Sequence, residues 1–188
     1  MNTRDVQKQI AMRIDGSPGG TIFVTSDFSD IASSKSANRA LLRLEDKGTI
    51  RRVLRGVYEK PAFSDFLQEY VAPSPDKVAR AIARNYGWRI VPKGETALNM
   101  LGLSTQVPGT WLYASDGPYK AYLVEGITLS FKHTAQKDFA NLSDMTALVI
   151  QALKALGKQG VTEKVLCKLA SLLTDDEKEQ MVQEAKYG

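Results

Sequence analysis

The two residue types behind most metal and nucleophile chemistry are nearly missing from this chain: Cys167 is its single cysteine and His133 its single histidine. An intramolecular disulfide is excluded, and zinc sites built from Cys and His lack their ligands. Any Ser-His-Asp arrangement would have to run through His133, whose surroundings, SFKHTAQKD, hold no nucleophile motif; a strand-end surface position is expected for it. Cys167 lies off the stripe of Val165, Leu169 and Leu173 and has only Lys164 and Lys168 as charged neighbours, so nothing marks it as a redox centre. Gly87, Gly94, Gly102 and Gly109 are too scattered to cradle a phosphate, and neither GxxxxGK[ST] nor GxGxxG occurs, so no cofactor is expected. No apolar run approaches the roughly 20 residues that span a bilayer, and the opening MNTRDVQKQI is polar. A cytoplasmic protein with no membrane contact is the expectation. There is no internal repeat and no low-complexity tract.

What is present is a charge surplus confined to one segment. The 188 residues carry a formal net charge of +4. Residues 1–62 hold 11 Lys and Arg against 7 acids, while the remainder holds 14 of each sign. Within that segment the stretch from Lys35 to Lys60 has 8 cations and 3 acids, so affinity for a polyanion is expected there.

Hydrophobic periodicity organises the same segment. Val6, Ile10 and Ile14 mark a first helix over 3–14, and a breaker cluster is followed by a β-prone run, Thr21–Thr25. Ser26 or Asp27 offers a cap for a very short second helix holding Phe28 and Ile31. Ser33 and Ser34 can cap a third helix, about 35–47, with Ala37, Ala40, Leu41 and Leu44 on its apolar face. Lys35, Arg39 and Asp46 fall opposite that face, with Ser36 and Arg43 on one flank and Asn38 on the other. Gly48 ends the helix, and Thr49–Leu54 and Val57–Tyr58 read as two strands around Arg55-Gly56.

Beyond Pro61, AFSDFLQEYVAPSP reads as a linker whose three aromatics pack across a domain junction. A helix over 76–86, a strand at Trp88–Val91 and a short helix at Glu95–Leu101 follow. Thr110–Ser115, Tyr119–Val124 and Ile127–Lys132 are expected as an antiparallel meander turned at Asp116-Gly117-Pro118 and Glu125-Gly126. Helices over about 138–156, 162–173 and 175–186 complete the chain. The expected fold is α/β in the α+β sense: a winged helix-turn-helix over 1–62, then an α+β domain over 63–188 with a small antiparallel sheet and a helical end.

A helix that enters the major groove needs an apolar back and a donor-rich front. The third helix supplies both. Lys35, Ser36 and Arg39 are assigned to base edges, Asn38 and Arg43 to bases or phosphate, and Ser33 and Ser34 to a phosphate at the helix N-terminus. Arg51, Arg52 and Arg55 of the hairpin are assigned to the backbone or the neighbouring minor groove. Strand alternation points Arg51 and Arg52 to opposite faces, and Arg52 and Arg55 are favoured. The expected partner is double-stranded DNA.

FSDIASSKSANRALLRLEDKGTIRRVLRGVYEKP (residues 28–61) resembles the N-terminal winged-helix domain of AbiEi-type antitoxins of type IV toxin–antitoxin and abortive-infection systems. LGLSTQVPGTWLYASDGPYKAYLVEGITLSFKHT (residues 101–134) is similar to their C-terminal region. The resemblance implies a repressor that binds operator repeats in its own promoter and counteracts a co-encoded nucleotidyltransferase-like toxin, with no enzymatic activity of its own.

Two other readings stand beside it. Asp116, Lys120 and Glu125 are the residue types of a metal-dependent nuclease, which would use the winged helix for targeting, although Asp116-Gly117-Pro118 also suits a turn. Winged helices also serve as protein-interaction modules. Trp88, Trp111, Tyr113 and Tyr122 could stack bases, but aromatics in short strands more commonly build core.

Overall fold

Residues whose side chains recur every three to four positions need a common partner, and in the computed structural model, which describes residues 3–135 and 141–185, they find it. Val6, Ile10 and Ile14 of α1 (Thr3–Asp15) pack against Ala37, Ala40, Leu41 and Leu44 of α2 (Ser34–Asp46). Phe23, Phe28, Ile50 and Tyr58 close this core. Between the helices run β1 (Ile22–Val24) and a single 3-10 turn, Thr25–Phe28. After them come β2 (Arg51–Leu54) and β3 (Val57–Glu59). The three strands form an antiparallel sheet in the order β1-β3-β2, which leaves the β2–β3 hairpin as a wing. Helix, strand, short helical turn, helix and hairpin in this pairing is winged helix-turn-helix topology.

The expected second helix is shorter and earlier than its sequence suggests. Asp27 sits inside the 3-10 turn, where its carboxylate accepts from the Val24 amide at 2.9 Å. Ile31 falls in the bend that follows, donating through its amide to the Phe28 carbonyl at 3.0 Å.

α2 ends as its sequence predicts. Gly48 takes φ +72°, its amide reaches the Glu45 carbonyl, and the Thr49 amide reaches back to Leu44, the paired closure that favours glycine.

The chain divides into two compact units between Trp88 and Arg89, not after residue 62. The segment expected to be a linker forms a small hairpin, β4 (Phe63–Ser64) with β5 (Glu69–Tyr70), and then α3 (Pro75–Tyr86). α3 packs on β1 and on the 3-10 turn. Arg84 grips Asp27 with two hydrogen bonds of 2.6 and 2.9 Å, so 63–88 belongs to the first unit.

The second unit is built on a four-stranded sheet in the order β6-β7-β9-β8. Its strands are β6 (Ile90–Pro92), β7 (Thr110–Ser115), β8 (Lys120–Val124) and β9 (Ile127–His133). The expected meander is half right. β8 and β9 are a hairpin on Glu125 and Gly126, with φ of +46° and +83°, the left-handed pair a two-residue turn requires. β9, however, inserts beside β7 and runs parallel to it, so Asp116-Gly117-Pro118 is not a hairpin turn. That segment is drawn away from a tight turn by its own bonds. Asp116 accepts from the Arg89 amide at 2.8 Å, and the Gly117 carbonyl lies 3.0 Å from His133 Nδ1 at the end of β9.

The helices of this unit are α4 (Glu95–Met100), α5 (Asp144–Gly160), α6 (Glu163–Leu172) and α7 (Asp175–Glu184). Leu98, Leu101, Leu148, Val149, Ala152 and Leu169 form their shared core, while Ala147 of α5 rests on Val91 and Ala114 of the sheet. α5 begins at Asp144 under a Ser143 cap; the first residues of the expected helix, 138–140, lie outside the described residues, as does residue 186. Tyr113 is fully buried and stacks on Phe131, and Trp111 and Tyr122 are half-buried in the same sheet. No helix among the described residues is long and apolar enough to cross a membrane.

Candidate nucleic-acid interface

The burial of Ala37, Ala40, Leu41 and Leu44 against α1 fixes how α2 is rotated, and the opposite face is thereby turned outward. Ser33, Ser34, Lys35, Asn38, Arg39 and Arg43 are exposed, and Ser36 is half-buried. Ser33 occupies the capping position, but its hydroxyl donates to the Ser36 hydroxyl at 3.2 Å and caps no amide. The first-turn amides of α2 therefore receive no side-chain cap, the arrangement that suits an anion.

The cations of this unit sort into two groups. One group is committed inside the fold. Arg13 forms a bidentate pair with Asp30 at 2.6 and 2.9 Å and also reaches the Asp27 carbonyl. Lys60 donates to the Asp15 and Ser17 carbonyls, closing the end of α1. Arg80 pairs with Asp76, and Arg84 with Asp27. The other group includes Lys35, Arg39, Arg52 and Arg55, which, like Lys8 and Lys47, are exposed and have no ion-pair partner among the described residues. Arg43 has only a long contact, 3.4 Å, with Gln7.

The wing separates its adjacent arginines. Arg51 lies opposite Glu59 and bonds its carboxylate at 2.5 Å, with a second bond to the Val71 carbonyl. Glu59 is 1% exposed, so Arg51 neutralises a buried charge. Arg52, one residue on, is exposed opposite Tyr58, and Arg55 is exposed in the turn. Val53 is an extra, unpaired residue that bulges the strand and breaks the strict alternation of faces. Buried Tyr58 ties the wing to α2: burial pushes its phenol above the usual range, Glu45 of α2 adds to the rise, and Arg52 opposes it.

Lys8 and Lys47 are functional candidates that periodicity does not reveal. With Arg4, Gln7, Ala11 and Leu44 they line a recess between α1 and α2, beside the exposed face. A charge count includes both, but only the packing of one helix on the other shows that they share a surface.

The residues of the nuclease reading are not gathered. Asp116 follows β7, Lys120 opens β8, and Glu125 lies past the far end of β8. Among the described residues, no group of three or more His, Cys, Asp and Glu side chains is placed to hold a metal ion. Cys167 is exposed and free.

The family of unknown function DUF6088 matches residues 9–181. The chain belongs to this family. In this DUF6088 protein the match runs from within α1 to within α7, so it takes in both units and the whole cationic head. No curated protein matches the chain.

Proposed function

We propose that this DUF6088 protein is a transcriptional regulator that binds double-stranded DNA through α2 and the β2–β3 wing. The observation that carries the reading is the sorting of cations. Arg13, Arg80 and Arg84 elsewhere in the first unit are matched by carboxylates, whereas Lys35, Arg39, Arg52 and Arg55 stand exposed without an ion-pair partner among the described residues on a helix and hairpin of winged topology. Surface cations left unpaired in this way release counterions from a polyanion on binding. In this reading Lys35, Ser36 and Arg39 meet base edges, while Asn38 and Arg43 meet bases or phosphate. Ser33, Ser34 and the open amides of α2 take a phosphate, and Arg52 and Arg55 hold the backbone next to the groove.

The biological setting we propose is that of an autorepressing antitoxin of a type IV system, located in the cytoplasm, acting on repeats in its own promoter and opposing a nucleotidyltransferase-like toxin. It rests on the resemblance of residues 28–61 and 101–134 to AbiEi-type antitoxins. Its test is co-expression with the neighbouring gene, with growth rescue expected.

The DNA reading is tested by mobility shifts on the upstream promoter region at several salt concentrations. Lys35→Ala and Arg39→Ala are each expected to weaken cognate binding by about 1–3 kcal/mol, and Arg52→Ala to reduce the salt slope by about one. Unchanged binding in all three variants would refute it.

A further inference from the structure

The second unit contains a recess of about 260 Å³ that none of the features above uses. Its walls come from four places: Lys93 after β6, Leu112 and Ala114 on β7, Thr134 just past β9, and Gln151 and Lys154 on α5. Gln151 and Lys154 are three residues apart and so share one side of the helix.

Gln151 is only 6% exposed, yet its amide forms no hydrogen bond among the described residues. Its amide atoms are not sealed from solvent, so they open on the recess and stand available to a ligand. Lys93 and Lys154 are likewise without an ion-pair partner among the described residues, and the described lining contains no Asp or Glu. Two lysines on one recess, with no carboxylate in its described lining, favour an anion, and the more so the higher its charge. The remaining wall is apolar, Leu112 and Ala114 with the aliphatic stems of the lysines, so the anion should carry an organic body. The volume lies just under the range of roughly 300–1,000 Å³ usual for small-molecule sites, which fits one compact body and not a dinucleotide.

We propose that this recess binds a small phosphate monoester of mononucleotide or sugar-phosphate size. Lys93 and Lys154 hold the phosphate, Leu112 and Ala114 receive the body, and the Gln151 amide supplies its donor and acceptor to the polar edge of that body. The inference stands on the second unit alone and does not depend on DNA binding.

The experiment is isothermal titration of the full chain with AMP, glucose 6-phosphate, inorganic phosphate and adenosine. At least one of the two esters is expected to bind, tenfold or more tightly than inorganic phosphate, and AMP more tightly than adenosine. Lys93→Gln and Lys154→Gln are exposed substitutions that leave the fold intact, and each should weaken the bound ester tenfold or more. Gln151→Leu should weaken it without altering its salt dependence, and Lys158→Gln, outside the recess, should change nothing. The proposal is overturned if neither ester binds at millimolar concentration, if inorganic phosphate binds as well as the esters, or if both lysine variants bind like the parent chain.

Discussion

The two units handle charge in opposite ways. Residues 1–88 hold 14 cations and 10 acids, whereas residues 89–188 hold 11 of each. In the second unit, carboxylates serve as local fasteners: Glu184 of α7 accepts from the Ser143 amide and hydroxyl at the start of α5, and Glu177 closes a capping box with Thr174. The first unit also uses charge as a fastener, with Asp30, Glu59, Asp76 and Asp27 paired to Arg13, Arg51, Arg80 and Arg84, and the surplus is left on α2 and the wing. The difference teaches that a net charge becomes informative only after the internally committed ions are subtracted.

That contrast can be broken most forcefully at Arg51. Arg51→Ala leaves the Glu59 carboxylate buried and unpaired, and a loss of about 3–5 kcal/mol in unfolding free energy is expected by denaturant titration. Arg52→Ala, its neighbour in sequence, should leave the denaturation midpoint within about 0.5 kcal/mol of the parent. Equal effects from the two would erase the distinction between committed and available arginines.

The converse holds on α2. Lys35→Ala and Arg39→Ala are expected to change unfolding by no more than about 0.5 kcal/mol, since both side chains are exposed, while DNA affinity falls. Smaller than the loss at Arg51 is the fastening of the second unit. Thr174→Ala removes a helix cap and should cost about 1 kcal/mol, with DNA affinity untouched.

The last prediction concerns acid. The Thr146 hydroxyl and the Ser143 amide hold the Glu184 carboxyl below its ordinary 4.5, and Asp30 is lowered by Arg13. A carboxyl lowered in the folded state stabilises it above the ordinary value, and that stabilisation disappears as pH falls through the lowered one. Thermal melts from about pH 6 down to about pH 3.5 should therefore show a smaller acid-induced drop in Glu184→Gln than in the parent chain. An identical drop would mean that the Ser143 contact does not couple to folding.

Much of the first unit was legible because its signals are local. The 3.6-residue period of Ala37, Ala40, Leu41 and Leu44, the stop at Gly48 and the Arg55-Gly56 hairpin each depend on neighbours along the chain. The preference for Arg52 over Arg51 followed from strand alternation, but its cause did not. Glu59 is eight residues from Arg51, and its burial is a property of the assembled sheet. The same limit explains the misread meander. Turn residues at Asp116-Gly117-Pro118 say that the chain bends, while the insertion of β9 beside β7 is decided by long-range pairing that no window of sequence contains. The boundary was misplaced because Arg84 and Asp27, which join 63–88 to the first unit, are 57 residues apart.

That last pair has a practical consequence for anyone wishing to isolate the first unit. Cutting after residue 62 would strip the Asp27 carboxylate of its guanidinium clasp and uncover the side of β1 on which α3 lies. A piece that keeps both of those contacts is one that runs through Trp88.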